Sequence, residues 1–535
     1  MERMLKRSFS FTRRLTTERS FVSFFKAGFN CTINNVDCNI TFNEKNEVIC
    51  KSSCDLLYPI TAKDVVTYLA AKTFDCPSPF NNLRIRIKQS LLLRRSFDTG
   101  STTTLFPLLE NASASIGEKR NVRILIPQGP GWSQPDFGNC FCGSLNSPPP
   151  YGGWDVSQRL CITVNGRFDS GISFEYDSIR YIVYIVSNGM NDTNQCMAIE
   201  TIDAINPDEA QRMALKIISA IGFFTSAYSF GSLFLFDADT SQFISYNGCV
   251  IPAASSKFKM TSLNPYMYFT ESDLRRMKRE QLKDASQDPR IKIEGDPEPL
   301  LRLRGMLKPV EARHMARLLL FMESDLFMRP FHLLQTLATN LSTAIVFVRL
   351  SVYATCLEMC KKWVQCDIAG EGMIPQQDSF AERECRIPNG YKKEFFLDIH
   401  RALKKISSAM GKEDFRNLKM RLSNAFTKRI PNETTLKRPF EYLGLNISSE
   451  RDKKTFSLRN FIAHGEKTII ADFDPKDSSK YFDESEETCF GFHSLIWRLI
   501  MVAIDYHGIC RDLPRLNRLN RDGEGNDCSP ISIEF

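Results

Sequence analysis

The chain contains no histidine before His314, and this absence sets the first limit on its chemistry. Its six histidines all follow in the part with helical periodicity, so a reaction that uses an imidazole belongs to that part. No HExxH spacing and no CxxC sequence occurs, so the sequence lacks these two metal-binding patterns. We therefore expect neither a metal ion nor a cofactor.

Glycine motifs for nucleotide binding are also lacking. The segment 128–153 follows a strand-like run and is rich in glycine and proline, but it has neither the GxGxxG nor the GxxxxGK[ST] spacing. Its prolines remove backbone N–H donors that a phosphate cradle would use. We interpret this segment as a long surface loop and a candidate recognition loop.

Long hydrophobic runs are scarce. The uncharged run from Ile217 to Phe236 is long enough to span a bilayer, but serine, threonine and glycine interrupt it. It leads into SLFLFDADTSQFISYNG, a pattern typical of a hairpin. We predict the end of a helix followed by a buried hairpin, and no membrane partner.

The basic opening segment lacks the apolar core of a secretory signal, because arginine and glutamate interrupt MERMLKRSFSFTRRLTTERSFVSFFKAGF. We interpret it as a solvated arm; a transit peptide and an RNA-contacting arm are alternatives. The 17 cysteines then indicate free thiols in a cytoplasmic protein. Four of them allow a zinc site to be drawn, but their spacing matches no ligand knuckle, and buried small side chains are the better interpretation: Cys31, Cys38, Cys50 and Cys54.

A length of 535 residues indicates more than one domain, and the net charge of +7 is compatible with an RNA partner without requiring one. We predict a multidomain α+β protein. Residues 1–297 form a strand-rich α+β region, with a break near residue 205 as an alternative, residues 298–510 form an all-α bundle, and 511–535 form a tail. The charged segment 257–299 marks the boundary.

Short strand-like runs with Asn and Asp turns characterise the first region, and Asn206 with Pro207 predicts a capped helix start. The second region has helical periodicity throughout. Its predicted helices include Ser342–Gln365, Tyr391–Met410, Glu413–Lys428, Ser449–Ala463 and Ser485–Tyr506.

The segment SLRNFIAHG, from Ser457 to Gly465, has the most site-like pattern. Wound as a helix, Leu458, Phe461 and Ile462 fall on one arc, which we predict to be the core side. The other arc carries a cation, an amide and an imidazole: Arg459, Asn460 and His464, with the small Ala463 among them. Arg459 and His464 lie about 140° apart, so one helix alone presents a shallow face.

This segment resembles the signature of HEPN domains, in which an Arg and a polar residue precede a His. Residues from about Leu300 to Cys510 are similar to the HEPN domains of ApeA-type and related abortive-infection proteins. The similarity lies in KRPFEYLGLNISSERDKKTFSLRNFIAHG and in ETCFGFHSLIWRLIMVAIDYHGIC.

The resemblance implies a metal-independent endoribonuclease in which the 2′-hydroxyl of RNA attacks the neighbouring phosphate. His464 would transfer a proton, Arg459 would stabilise charge on the phosphate, and Asn460 would orient the phosphate or His464. Glu358 resembles the acidic residue that the family places on an earlier helix, where it would pair with Arg459; a solvated helix acid is the alternative.

The same resemblance implies an antiphage effector of the abortive-infection type, toxin-like and at least dimeric. Its N-terminal region would restrain the nuclease and respond to a phage-derived or nucleotide trigger. Two alternatives stay open at this point. The bundle is a non-catalytic HEPN module for nucleotide or RNA binding or for dimerisation, or it is a structural protein in which the motif arose by chance.

Overall fold

The computed structural model describes the greater part of the chain in separate stretches. They are residues 16–33, 35–43, 47–53, 73–80, 82–95, 101–113, 117–127, 163–164, 167–168, 171–186, 196–225, 232–248, 310–339, 346–370, 389–406, 410–411, 413–415, 418, 432–447, 450–464, 478–507, 509–511 and 532–534.

The chain forms two compact units. The first comprises Met1–Glu323, Phe331–Ile345 and Ile504–Phe535, and the second comprises Ser324–Pro330 and Val346–Ala503. The predicted boundary at residue 297 and most of the predicted tail lie outside the described residues.

The first unit is built on antiparallel strands. Their bounds are β1 (Phe29–Ile33), β2 (Val36–Phe42), β3 (Val48–Ser52), β4 (Thr73–Asp75), β5 (Arg84–Arg95), β6 (Thr102–Asn111), β7 (Val122–Pro127), β8 (Thr163–Val164), β9 (Arg167–Phe168), β10 (Gly171–Tyr176), β11 (Ile179–Val186), β12 (Cys196–Thr201), β13 (Ser232–Asp237), β14 (Phe243–Gly248), β15 (Ile509–Arg511) and β16 (Ser532–Glu534).

Twelve of these strands form one sheet. Its order is β1-β2-β3-β6-β14-β13-β7-β12-β11-β10, with β5 also paired to β6 and β4 paired to β5. Strands β12 and β13, which lie on either side of residue 205, both pair with β7, so the described strands form one sheet through this point. Two small pairs, β8-β9 and β15-β16, stand outside it.

The place of each strand in the sheet agrees with the burial pattern of its side chains. All six residues of β7 (VRILIP) are buried, as expected for a mainly apolar strand in the interior of a sheet, and Arg123 is the charged residue among them. Strand β6 instead alternates between buried and partly buried residues over most of its length, as expected for a strand with one face in the core. The strand-rich prediction for the N-terminal region is confirmed.

A helix over residues 16–27, here α1, packs on this sheet. Phe21, Val22 and Phe25 are buried, and the Phe21 ring lies 4.9 Å from Phe243 and 5.8 Å from Phe236. The prediction of a solvated arm is therefore wrong for these residues. Burial of the three apolar side chains outweighs the charged residues that made the segment look solvated.

Helix α2 (Pro207–Thr225) begins as predicted, since Asn206 Oδ1 accepts a hydrogen bond of 2.9 Å from the Asp208 backbone N–H. The described residues of the apolar run are divided between the end of α2 and the first strand of the β13-β14 hairpin, which confirms that prediction. Throughout the described chain, the helices lack the combination of length and hydropathy that crossing a bilayer demands.

The cysteines of the first strands lie in the core of the first unit. Cys38 and Cys50 are buried and Cys31 packs against the same core, which confirms their interpretation as small interior side chains. Burial raises the pKa of the Cys31 thiol to about 12. Cys54 lies outside the described residues.

The remaining helices are α3 to α9. Their bounds are α3 (Ala312–Phe321), α4 (Asp325–Thr339), α5 (Val346–Trp363), α6 (Asn389–Ile406), α7 (Asn432–Tyr442), α8 (Glu450–His464) and α9 (Ser478–Ala503), and a π-helical turn at Val364–Ile368 extends α5. The described residues from 310 to 503 are thus mainly helical, as predicted. The predicted helix at 413–428 lies largely outside the described residues, and the loop at 128–153 lies entirely outside them.

Candidate functional site

Helix α8 carries the motif, and its packed face is polar. Asp452, Thr455, Phe456 and Arg459 are all buried, at positions i, i+3, i+4 and i+7 of one helix stripe. Three of these four residues are polar or charged, so neighbouring helices must supply partners for them.

Arg459 forms an ion pair with Glu358 of α5. The side chain of Arg459 is 10% exposed and that of Glu358 is 35% exposed, so the pair reaches from the packed interior to the rim of the bundle. Lys361, one turn after Glu358 on α5, lies 3.9 Å from the same carboxylate. The ion pair between Arg459 and Glu358, which the resemblance implies, is therefore present, and it joins α8 to α5.

Asp452 forms the second charged contact of α8. Its carboxylate accepts a hydrogen bond of 2.7 Å from Arg498 of α9, whose side chain is 1% exposed. Because seven residues turn an α-helix through nearly two full turns, Asp452 and Arg459 lie within about 20° of each other around the axis. One stripe of α8 is thus bound at one end to α9 and at the other to α5.

Between these two charges α8 approaches α9 closely. A Cβ added at Gly491 of α9 would meet Thr455 Oγ1 at 2.9 Å, so a larger residue there would require Thr455 or the helices to shift. Phe456 packs edge-to-face on Phe440 of α7, with ring centroids 5.3 Å apart. These contacts fix the depth and the axial position of α8 in the bundle.

The predicted orientation of α8 is wrong at Arg459. We expected Arg459 on the free arc, but the structure places it on the packed face, and Leu458 is only half-buried. The physical reason is that Glu358 and Arg498 make the charged stripe the better one to bury, and both partners belong to other helices. The side chains of Asn460, Phe461, Ile462, Ala463 and His464 lie outside the described residues, although their backbone is helical.

Of the five histidines outside the motif, two are buried and three are exposed. His493 is buried, and its Nδ1 lies 3.3 Å from the Tyr353 hydroxyl. His314 is buried and its Nδ1 accepts a hydrogen bond of 2.9 Å from the Glu311 backbone N–H. The other three are exposed: His332, His400 and His507.

Two buried thiols of the helical unit, Cys356 and Cys489, are poor nucleophiles. Burial raises the pKa of Cys489 to about 12, and burial together with Cys360 raises the pKa of Cys356 well above its ordinary value. A thiolate is the reactive form, so these side chains stay unreactive near neutral pH. Within the described stretches, no three His, Cys, Asp or Glu side chains are grouped so as to hold a metal ion.

The Arg459–Glu358 pair presents a guanidinium that a carboxylate holds at the rim of the bundle. An arginine fork binds phosphate and carboxylate oxygens in the same geometry, so Glu358 occupies part of the donor set that a phosphate would use. The backbone of α8 continues past Arg459 to His464, which places both motif residues on one rigid element.

Sequence reasoning missed the Asp452–Arg498 pair. The signal was present, because Asp452, Thr455, Phe456 and Arg459 have the spacing of one helix face. Hydrophobic residues alone do not reveal this face, because Leu458, Phe461 and Ile462 lie on another arc of the helix.

The buried stripe of α8 is thus defined by its contacts with α5, α7 and α9, and the helix backbone continues from Arg459 to His464. Comparison of the chain with protein-family models, curated proteins and solved structures found no match. A functional assignment therefore rests on the residues of α8 and on their resemblance to a known motif.

Proposed function

We propose that the helical unit is a metal-independent endoribonuclease of the HEPN type. The observation that carries the proposal is the Arg459–Glu358 ion pair, which joins the motif helix α8 to the earlier helix α5. The resemblance of the motif implies this pairing, and the two residues are 101 positions apart, so spacing along one helix does not produce it.

In the proposed reaction the ribose 2′-hydroxyl attacks the adjacent phosphorus and the bond to the 5′-oxygen breaks. The products are a 2′,3′-cyclic phosphate and a 5′-hydroxyl. His464 transfers a proton, a contribution of roughly 10²–10⁴-fold, and Arg459 stabilises the negative charge that develops on the phosphate. Asn460 orients the phosphate or the His464 imidazole.

The burial of Arg459 assigns Glu358 a positioning role in this proposal. Since Arg459 is 10% exposed, a phosphate approaches it from the rim, where Glu358 is 35% exposed. Glu358 holds the guanidinium in a single orientation in free protein, and the incoming phosphate competes for its N–H donors.

A second protomer completes the proposed site. On one helix Arg459 and His464 lie about 140° apart, so they do not converge on one phosphate unaided. A second copy placed across a two-fold axis from the rim beside Glu358, where Arg459 is reached, brings a guanidinium and an imidazole from each chain to one cleft. Cleavage activity that persists when dilution has converted the protein to monomers, measured by sedimentation, would refute this part.

The wider biological role is proposed from the resemblance alone. In it the protein is a cytoplasmic, toxin-like antiphage effector of abortive infection, and the strand-rich unit restrains the nuclease until a phage-derived or nucleotide trigger binds.

A second candidate function is a non-catalytic HEPN-type module for RNA or nucleotide binding or for dimerisation. The observation that favours it is the burial of Arg459 in an intramolecular ion pair, because a purely structural link between α5 and α8 has the same geometry. Tight RNA binding without cleavage at neutral pH would support this candidate.

One experiment separates the two functions. Purified full-length protein is incubated with mixed RNA in EDTA, and the ends of the products are mapped. The nuclease predicts 2′,3′-cyclic phosphate and 5′-hydroxyl ends that persist in EDTA. Products that require a divalent metal, or intact RNA that remains bound, would overturn the nuclease.

A further inference from the structure

A buried charge cluster ties α1 to the sheet of the first unit. Arg123 of β7 is 1% exposed and Glu18 of α1 is fully buried. Arg123 Nη1 donates a hydrogen bond of 2.6 Å to Glu18 Oε1, and Arg123 Nε donates one of 2.8 Å to Glu200 Oε2 on β12. One guanidinium thus lies between two carboxylates that belong to different elements.

Two hydroxyl groups also donate hydrogen bonds to these carboxylates. Ser241, in the turn between β13 and β14, donates a hydrogen bond of 2.9 Å to Glu18 Oε1. Tyr184 of β11 donates one of 3.0 Å to Glu200 Oε2. The second oxygen of Glu18, Oε2, is buried and has no hydrogen-bond partner among the described residues.

The cluster is short of positive charge when both carboxylates are ionised. Within the described part of the chain, two negative charges then face the positive charge of Arg123, and the excess lies where water does not screen it. Arg19 is also buried, but it follows Glu18 on the same helix and so points about 100° away around the axis. A proton on Glu18 removes the excess and makes its unpartnered oxygen a neutral hydroxyl.

Burial and the neighbouring charges together favour the protonated form of the Glu18 carboxyl group. Burial raises the pKa of Glu18 from 4.5 to about 7, against the opposing effects of Arg123 and Ser241, while Glu200 raises it further. Glu18 therefore changes its charge close to neutral pH, in the interface between α1 and the sheet.

We propose that Glu18 is a proton-operated latch that holds α1 on the sheet when its carboxyl is protonated and loosens it when the carboxyl ionises. The apolar anchors Phe21, Val22 and Phe25 keep α1 seated in both states, so ionisation raises the frequency of local opening instead of releasing the helix. The latch is independent of the proposed nuclease.

The direction of the effect follows from linkage. A carboxyl whose pKa is higher in the docked state binds its proton more tightly there, so docking is strongest below the undocked pKa of 4.5. The docking constant falls about tenfold per pH unit from there to about pH 7, and it then levels off. The full decrease is on the order of 10²-fold.

Hydrogen exchange on the full-length protein tests the latch. Protection factors for the amides of 16–27, corrected for intrinsic exchange rates, are compared between about pH 5 and about pH 8. Wild type is expected to lose protection in α1 relative to β7, and Glu18→Gln to remove that pH dependence. Glu118→Gln is the matched control, because that side chain is 73% exposed, and it should behave as wild type.

A second variant covers the case in which Glu18→Gln folds poorly. Glu200→Gln leaves Arg123 with one carboxylate, which lowers the pKa of Glu18 and moves the loss of protection to lower pH. Identical pH profiles for wild type and Glu200→Gln, or for wild type and a folded Glu18→Gln, would overturn the latch.

Discussion

Arg459 and Glu358 differ in exposure by a factor of more than three, although they are the two halves of one ion pair. The guanidinium is enclosed by the bundle, whereas the carboxylate remains in reach of solvent. This asymmetry decides what each residue contributes. Removal of the carboxylate leaves an enclosed cation, and removal of the cation leaves an acid that water can solvate.

Glu358→Gln should therefore destabilise the helical unit. It keeps the size of the side chain but removes the charge that Glu358 places beside Arg459, and we expect a loss of about 1–3 kcal/mol, between the values for exposed and buried pairs. Denaturant unfolding, followed through the fluorescence of the buried Trp363 and Trp497, measures it. Asp398→Asn breaks the exposed pair with Arg401 and should cost well under 1 kcal/mol; equal losses would contradict this reasoning.

Asp452→Asn should cost more than Glu358→Gln. Arg498 is 1% exposed, so the loss of the Asp452 carboxylate leaves a charge that solvent cannot reach, and we expect about 3 kcal/mol or more. The combined change Asp452→Leu with Arg498→Met replaces the pair by apolar side chains and should cost less than Asp452→Asn alone. The same unfolding measurement ranks the variants, and the reverse order would show that Arg498 finds solvation elsewhere.

Gly491→Ala should push α8 away from α9. Alanine favours helix by about 1 kcal/mol over glycine, but its Cβ would lie 2.9 Å from Thr455 Oγ1, and overpacking typically costs about 1–3 kcal/mol. We expect net destabilisation that Thr455→Ala largely reverses in the double variant. The unfolding midpoints of the four proteins in this cycle give the coupling, and additive effects of the two changes would argue against the close approach.

His314 should make the first unit acid-sensitive. Burial lowers its pKa from 6.5 to about 4, so the folded state favours the neutral ring. The contribution of His314 to the free energy of unfolding is complete above the unfolded pKa of 6.5. It is lost as the pH falls towards 4, and the loss is about 3 kcal/mol. Urea midpoints at several pH values should show a shallower acid decline in His314→Asn than in wild type. The exposed His507→Asn is the control, and its profile should match that of wild type.

Elements with a local pattern could be predicted from the sequence. The strands at β1 to β3, the hairpin of β13 and β14 and the capped start of α2 follow turn residues and hydrophobic alternation that neighbouring residues determine. The packing of helix α1 could not be predicted in this way. Glu18 can be buried because it pairs with Arg123, which lies 105 positions away in the sequence. Helix α7 was missed as well, since Pro439 lies inside it.

The candidate site was predictable in composition but not in orientation. The pairing of Arg459 with Glu358 was anticipated from the resemblance, whereas the hydrophobic pattern of α8 pointed to the opposite arc. Hydropathy treats a charged residue as exposed, and it fails where two neighbouring helices each provide a counter-ion. The spacing of Asp452 and Arg459 on one stripe was the better guide.

The most direct test of the nuclease proposal is the single-turnover rate of RNA cleavage in metal-free buffer for wild type and His464→Ala, with His400→Ala as a control at an exposed helical histidine. The proposal predicts that His464→Ala lowers the rate by at least about 10²-fold without changing the circular dichroism spectrum, while His400→Ala leaves it unchanged. Equal rates for wild type and a folded His464→Ala would contradict it.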